Sequence, residues 1–366
     1  MHWIEPDSPR PGLARRSEVG LAARCGLAVL AILALPAIAH AQAAHPPAIT
    51  DPASPNAADL ANLYNVIFFM AVGVFVLVEG LILYATFKFR RRPEHAHTLP
   101  AQVHGNATIE MVWTVVPAII VIVISALSYR SLVAGYAVPA DAIKVNAIGH
   151  QWWWEFQYAA PIVSPTITTA TELVVPVGKP VQVMLDSVDV LHAFWVPQLA
   201  GKRDAVPGTR DGGYGQNNVW FVVNRPGRFE GQCAELCGAQ HSGMRFTVVA
   251  MAEADYQAWL AAHAQPAAPP PPGSAQARGL ELMSKRGCQG CHSIDGVKAM
   301  LGKVGPNLTH VAERKRLAGG VFENTPANLT SWVDNPQVHK PSAVMPDLGL
   351  KPDEIADVVA YLQSLK

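Results

Sequence analysis

The chain has 366 residues, 28 Lys and Arg against 28 Asp and Glu, five cysteines, and a composition that is 50% hydrophobic. A net charge of zero offers no basic surface for nucleic acid. The length and the shifts of composition along the chain point to several domains.

The N-terminus carries Arg10, Arg15, Arg16 and Arg24 ahead of an apolar run over 26–38, and Ala39-His-Ala41 fits an A-x-A cleavage site. Residues 1–41 therefore read as a secretory signal peptide. Cys25 falls in this segment, and a lipoprotein anchor there would need a small residue where Arg24 stands. The stretch 42–138 contains two apolar spans, about 63–87 and 111–132, each long enough to cross about 30 Å of hydrocarbon. Lys88, Arg90, Arg91 and Arg92 lie between them, so this short loop is expected on the cytoplasmic side and everything after about residue 134 on the periplasmic side. Reading the spans as buried core helices fails on their length and on the arginine cluster. Glu79 lies inside the first span, where an ionisable group is a hint of function or of a partner. Glu110 sits at the mouth of the second, where a carboxylate offsets the helix N-terminal dipole.

Residues 139–265 form one domain, in which about 139–252 show strand-like alternation, clearest over 172–177, 181–185, 219–223 and 245–250, with Pro- and Gly-rich turns between them. This is the pattern of an antiparallel sandwich or barrel, closed by a short helix over about 253–264. The aromatic run 149–158, with Trp152, Trp153, Trp154, Phe156 and Tyr158, is placed on one early strand, its alternate rings filling the core.

Cys233, Cys237, His241 and Met244 follow within twelve residues, and His192 stands about forty upstream. Two thiols, two imidazoles and a thioether are the ligands of a soft-metal site and select copper. A mononuclear electron-transfer copper needs two His, one Cys and a weak axial Met, which leaves one Cys surplus. Two thiolates can instead bridge two coppers, each capped by one His. A rigid bridged pair changes its bond lengths little on oxidation, so the spacing reads as an electron-transfer site. A Cys233–Cys237 disulfide is the competing reading, but it leaves His241 and Met244 at ligand spacing without a purpose. Copper ligands in the loops at one end of a sandwich make this domain cupredoxin-like.

A Pro-rich linker over 266–273 is expected to be extended and semi-rigid. Beyond it, 274–366 holds Cys288, Cys291 and His292 in the C-x-x-C-H pattern of covalent haem c attachment, with His292 placed as the proximal iron ligand. Structural zinc would need a fourth ligand nearby, and a thioredoxin-like motif a βαβ context. The chain ends in a helical stripe of Ile355, Val358, Val359 and Leu362. By count, 139–265 carries about eight Lys and Arg against eleven Asp and Glu, and 274–366 about eleven against nine, so the two domains bear opposite signs.

On these motifs the chain resembles subunit II of the haem-copper cytochrome c oxidases, of the variety with a fused cytochrome c. The resemblance implies a multidomain membrane protein: a two-helix transmembrane hairpin, an all-β cupredoxin-like domain and an all-α cytochrome c domain. It implies a dinuclear CuA centre held by His192, Cys233, Cys237, His241 and Met244, with Glu235 giving its backbone carbonyl. Trp152 takes the place where electrons enter, and the carboxylate of Glu235, with the Asp204 segment near it, takes that of a magnesium site shared with subunit I. Glu110 takes the place of a carboxylate that opens a proton path into subunit I. The loops around Gly305 and around Met345 resemble those of small cytochromes c, which implies Met345 as the second haem iron ligand; Met283 and Met300 are the competing thioethers.

The implied partners are subunits I and III, the bacterial inner membrane, and a donor that is a periplasmic cytochrome c or a quinol:cytochrome c reductase. Electrons would pass from haem c to the copper pair and then to subunit I, where oxygen is reduced to water with proton translocation. The chain alone would not reduce oxygen. A membrane-anchored copper chaperone for oxidase assembly is the alternative, but it has no use for Met244 or a haem. A nitrous oxide reductase would need a second, His-rich copper cluster, and a quinol oxidase subunit II lacks the copper ligands.

Overall fold

The computed structural model describes residues 49–90, 102, 104–209 and 216–366. The expected signal peptide 1–41 with Cys25, and Arg91 and Arg92 of the short loop, lie outside the described residues.

Two helices, α1 (Pro55–Lys88) and α2 (Ala107–Tyr136), contain the predicted spans and run past them at both ends. Their apolar side chains point outward all round: Phe69, Phe75, Phe87, Trp113 and Ile122 are each more than 60% exposed. A helix apolar on every side has no soluble surface to offer, and both helices are long and apolar enough to cross a membrane. Ser54 caps α1 by accepting from the Ala57 amide, and Asn106 caps α2 by accepting from Thr108 and Ile109. The first turn of α1 is not membrane-like. Ala57 and Ala61 are buried, the Ser54 hydroxyl donates to the Leu199 carbonyl, and the Ala53 amide donates to Gln198 O at 2.8 Å, so this turn is seated on the β domain.

The β domain is a sandwich of two five-stranded sheets. One holds β1 (Ile143–His150), β2 (Trp153–Tyr158), β3 (Ile167–Ala170), β5 (Pro180–Ser187) and β8 (Asn218–Val222). The other holds β4 (Glu172–Pro176), β6 (His192–Trp195), β7 (Arg203–Ala205), β9 (Gly227–Cys233) and β10 (Arg245–Met251). Two expectations need correction. The sheets are mixed rather than antiparallel, because β1 runs parallel to β5 and β4 parallel to β10. Alternation reports which face is buried and carries nothing about strand direction. The aromatic run also spans a hairpin: Gly149 and His150 end β1, Gln151 and Trp152 make the turn, and β2 starts at Trp153.

Trp154, Phe156 and Tyr158 alternate inward from β2 and are fully buried. Trp154 meets Phe194 and Phe246 edge-on, with ring centres at 5.8 and 5.7 Å, so the core reading of this ring holds. Gly231 makes room for the cluster, since a Cβ there would come within 2.4 Å of the Phe246 ring. Helix α3 (Glu253–His263) closes the sandwich against β4.

The C-terminal domain packs α4 (Ala275–Lys285) across α7 (Pro352–Ser364), with α5 (Pro326–Asp334) and the short α6 (Pro336–His339) between them in sequence. Ile355, Val358, Val359 and Leu362 are all buried, as the stripe predicts. The α4 and α7 backbones approach so closely that a Cβ on Gly279 would lie 2.1 Å from Asp357 O. Arg278 grips the Asp357 carboxylate at 2.7 Å across the same crossing. The linker is held down at its start, where the Ala267 amide donates to Asp295 O at 2.9 Å.

Candidate metal and haem sites

The β-sandwich brings the predicted metal ligands to one end. His192 opens β6 and Cys233 closes β9; Phe194 pairs with Cys233, so the two strands deliver their side chains side by side. The loop after Cys233 returns through a 3-10 turn (His241–Gly243), and the Cys233 amide donates to Met244 O at 2.9 Å, which shuts it. Inside it, Cys233 Sγ lies 3.8 Å from His192 Nδ1 and 3.8 Å from Cys237 Sγ. Cys237 Sγ lies 3.6 Å from His241 Nδ1 and 3.9 Å from Met244 Sδ. Glu235 O is 3.3 Å from Cys233 Sγ. A disulfide would need about 2.05 Å between the sulfurs, so these are two separate thiols.

His192, Cys233, Cys237 and Met244 are buried. The shared contact with Cys237 holds the Cys233 thiol far below its ordinary range, at about 3, with His192 assisting against burial. The same contact, with burial, pushes Cys237 up. Burial alone would lower His192, but hydrogen bonds to Asp189 and Cys233 outweigh it and the net effect is upward. A deprotonated sulfur beside a second thiol and two imidazoles is a donor set that fits copper.

Asp189 completes the arrangement. Its carboxylate meets His192 Nε2 at 2.8 Å, which leaves Nδ1 facing the sulfurs. Gly149 gives the ring its space, because a Cβ there would fall 2.5 Å from His192 Cδ2. Gln151 Nε2 and Trp152 Nε1 both donate to Cys237 O, at 2.7 and 2.9 Å. Asp189 stands three residues before His192, and that spacing was its only signal in the sequence; the only signal for Gln151 was its place beside Trp152 in the aromatic run that resembles the family's.

The C-terminal domain holds a cavity lined by Cys288, Cys291, His292, Met345 and Arg314, and by Trp152 of the β domain. His292 Nδ1 donates to Pro306 O at 2.8 Å, so Nε2 is left for a metal. Burial lowers His292 and keeps the ring neutral, as ligation requires. Gly305 packs flat on it: a Cβ there would lie 2.6 Å from Cε1. Met283 and Met300 are buried in the helical core, whereas Met345 lines the cavity. Arg314 is buried, donates through Nη2 to Asn307 O, and among the described residues has no partner for Nε. An apolar cavity with two thiols, a neutral imidazole, a thioether and one orphaned guanidinium N–H fits a haem with acidic side arms.

The other predicted residues stand apart. Glu110 Oε1 accepts from the Asn106 amide at 3.2 Å in the first turn of α2, as the dipole reading expects. Glu79 lies in an apolar groove with Phe75, Ile120 and Ile124. Asp204 pairs with Ala193 on the strand beside His192 and is exposed. Neither Asp204 nor Glu235 joins a cluster of metal-binding groups among the described residues.

Family comparison agrees with this layout. Residues 43–131 match the transmembrane domain of cytochrome c oxidase subunit II, 161–251 its periplasmic domain, and 276–366 cytochrome c. Cytochrome c oxidase subunit 2 of Alkalihalophilus pseudofirmus is 33% identical over 316 residues, covering 83% of this chain and 86% of that one. The Bacillus subtilis protein of the same name is 30% identical over 306 residues, covering 78% and 82%. The periplasmic domain of subunit II of cytochrome oxidase of Bradyrhizobium japonicum, 29% identical, aligns with 34% of this chain and 96% of its own length at a TM-score of 0.31.

Proposed function

Because this chain belongs to the cytochrome c oxidase subunit II family and ends in a cytochrome c domain, we propose that it is the electron-accepting subunit of a terminal oxidase, anchored by α1 and α2 with both folded domains in the periplasm. Its copper pair and its haem c would each supply reversible one-electron exchange, passing electrons from a periplasmic donor to subunit I, where oxygen is reduced with proton translocation. His192, Cys233, Cys237, His241, Met244 and the Glu235 carbonyl would hold the coppers. Cys288 and Cys291 would anchor the haem, with His292 and Met345 on its iron.

Trp152 carries the proposal. Its indole donates to the carbonyl of Cys237, and the same residue lines the haem cavity, so one buried residue reaches both sites. Asp189 aims His192 inward, and burial of Cys233 and Cys237 keeps water from the thiols. Glu110 would receive protons at the cytoplasmic face, and Glu235 with Asp204 would face a magnesium ion shared with subunit I.

The purified full-length chain should bind two coppers and one haem, with an EPR signal from an electron delocalised over both coppers. Cys237→Ser should abolish that signal or convert it to that of a single ion. One localised copper in the wild-type chain would refute the assignment.

A further inference from the structure

Lys340 follows α6 in the cytochrome c domain, yet it is only 3% exposed. Its Nζ donates to Ala318 O at 2.8 Å within its own domain, and to Trp152 O at 2.7 Å and Gly243 O at 3.3 Å in the copper domain. An ammonium has three N–H donors, and three carbonyls from three segments receive them. Burial lowers Lys340 to about 8, which leaves it charged at neutral pH, and bonds from a charged donor are the stronger kind.

The two carbonyls across the seam lie at the copper site. Trp152 is bonded through its indole to Cys237, and Gly243 ends the turn that begins at His241 and directly precedes Met244. Around the ammonium the seam is stitched further. The Arg245 amide donates to Gly319 O at 2.8 Å, and Gln240 Nε2 donates to Pro341 O at 2.8 Å. Gly319 has φ +72°, and a Cβ there would sit 2.5 Å from Trp152 O, so only glycine lets this loop come so near.

We propose that Lys340 is a positioning residue that clamps the cytochrome c domain onto Trp152 and the copper-ligand loop, holding the chain's two redox sites at a fixed separation. The proposal rests on the reading of the copper and haem sites given above. It separates this seam from docking by opposite net charge: raised salt screens exposed charges and leaves a buried ammonium on carbonyls in place.

The test uses the full-length chain in detergent, with Lys340→Met and, as a second variant that keeps the lysine, Gly319→Ala. Two quantities are read: hydrogen exchange of the Arg245 amide, and the rate of copper reduction after rapid reduction of the haem. In both variants Arg245 should lose protection and the rate should fall at least about tenfold, with the haem absorption and copper EPR signals unchanged. In the wild-type chain neither quantity should respond to raised ionic strength. Full Arg245 protection together with a wild-type rate in Lys340→Met would overturn the clamp. Missing copper or haem signals in the wild-type chain would instead sink the site assignments, while the exchange measurement would still judge the clamp.

Discussion

At the scale of single residues, the haem cavity discriminates between thioethers that the sequence leaves in competition. Met283 and Met300 are core side chains, and of the three only Met345 lines the cavity with His292. Replacing a thioether by nitrogen favours ferric iron, so Met345→His should lower the haem reduction potential while the haem stays attached. A redox titration of the full-length chain reads this directly; an unchanged potential in Met345→His would exclude Met345 from the iron. Glu110 caps α2, and a pair of variants can separate that from the proposed proton path. Glu110→Gln keeps an acceptor for the Asn106 amide and removes the carboxylate the proposed path needs, whereas Glu110→Ala removes both. In the assembled oxidase Glu110→Gln should slow turnover with copper content intact; wild-type turnover would leave Glu110 with its helix-capping role alone.

At the scale of elements, the crossing of α4 and α7 is set by a missing side chain. Gly279 allows the α7 backbone to touch α4, and the Arg278 fork on Asp357 then fixes the register. The added methyl of Gly279→Ala would meet a backbone carbonyl that cannot rotate away. Overpacking of this kind costs about 1–3 kcal/mol, so thermal unfolding followed by the haem absorption should shift to lower temperature. The helical stripe in α7 was legible because period 3.6 marks a face. The partner of that face was not, because the pattern says that a surface is buried and not what buries it.

At the scale of the whole molecule, a second seam joins the domains through histidines. His263 at the end of α3 packs its ring, tilted, against Trp259 and His310, with ring centres at 4.3 and 4.4 Å, and lies 3.4 Å from Glu313. Burial, with the positive fields of His310 and Arg314, lowers His263 to about 4, against the hydrogen bond to Trp259 O. A depressed histidine stabilises the fold fully above its unfolded value, and that contribution is lost as pH falls from about 6.5 towards 4. The loss amounts to up to about 3 kcal/mol from this group. His263→Phe keeps a ring against Trp259 and His310 and removes the proton site, so its stability should fall less between pH 7 and 4.5 than that of the wild type. An equal loss of unfolding free energy between the two pH values in the wild type and in His263→Phe, read by chemical denaturation, would refute this.

The sequence by itself determined the chemistry and the kinds of element. Ligand types at short spacing, the C-x-x-C-H motif, two long apolar spans and alternating strands are local patterns, and each is imposed by the valence of a metal, the thickness of a bilayer or the pleat of a strand. His192, Cys233, Cys237, His241 and Met244 were all legible in this way, and the fold gathers them within ligand distance of one another. Tertiary structure alone decided the parallel pairings, the hairpin at Trp152, and the roles of Asp189, Gln151 and Lys340. Lys340 lies 188 residues from Trp152, and a lone lysine after a short helix reads as surface until the fold carries it under a seam of carbonyls. Burial of a polar group against distant backbone has no sequence period, because the atoms that satisfy it belong to every residue alike.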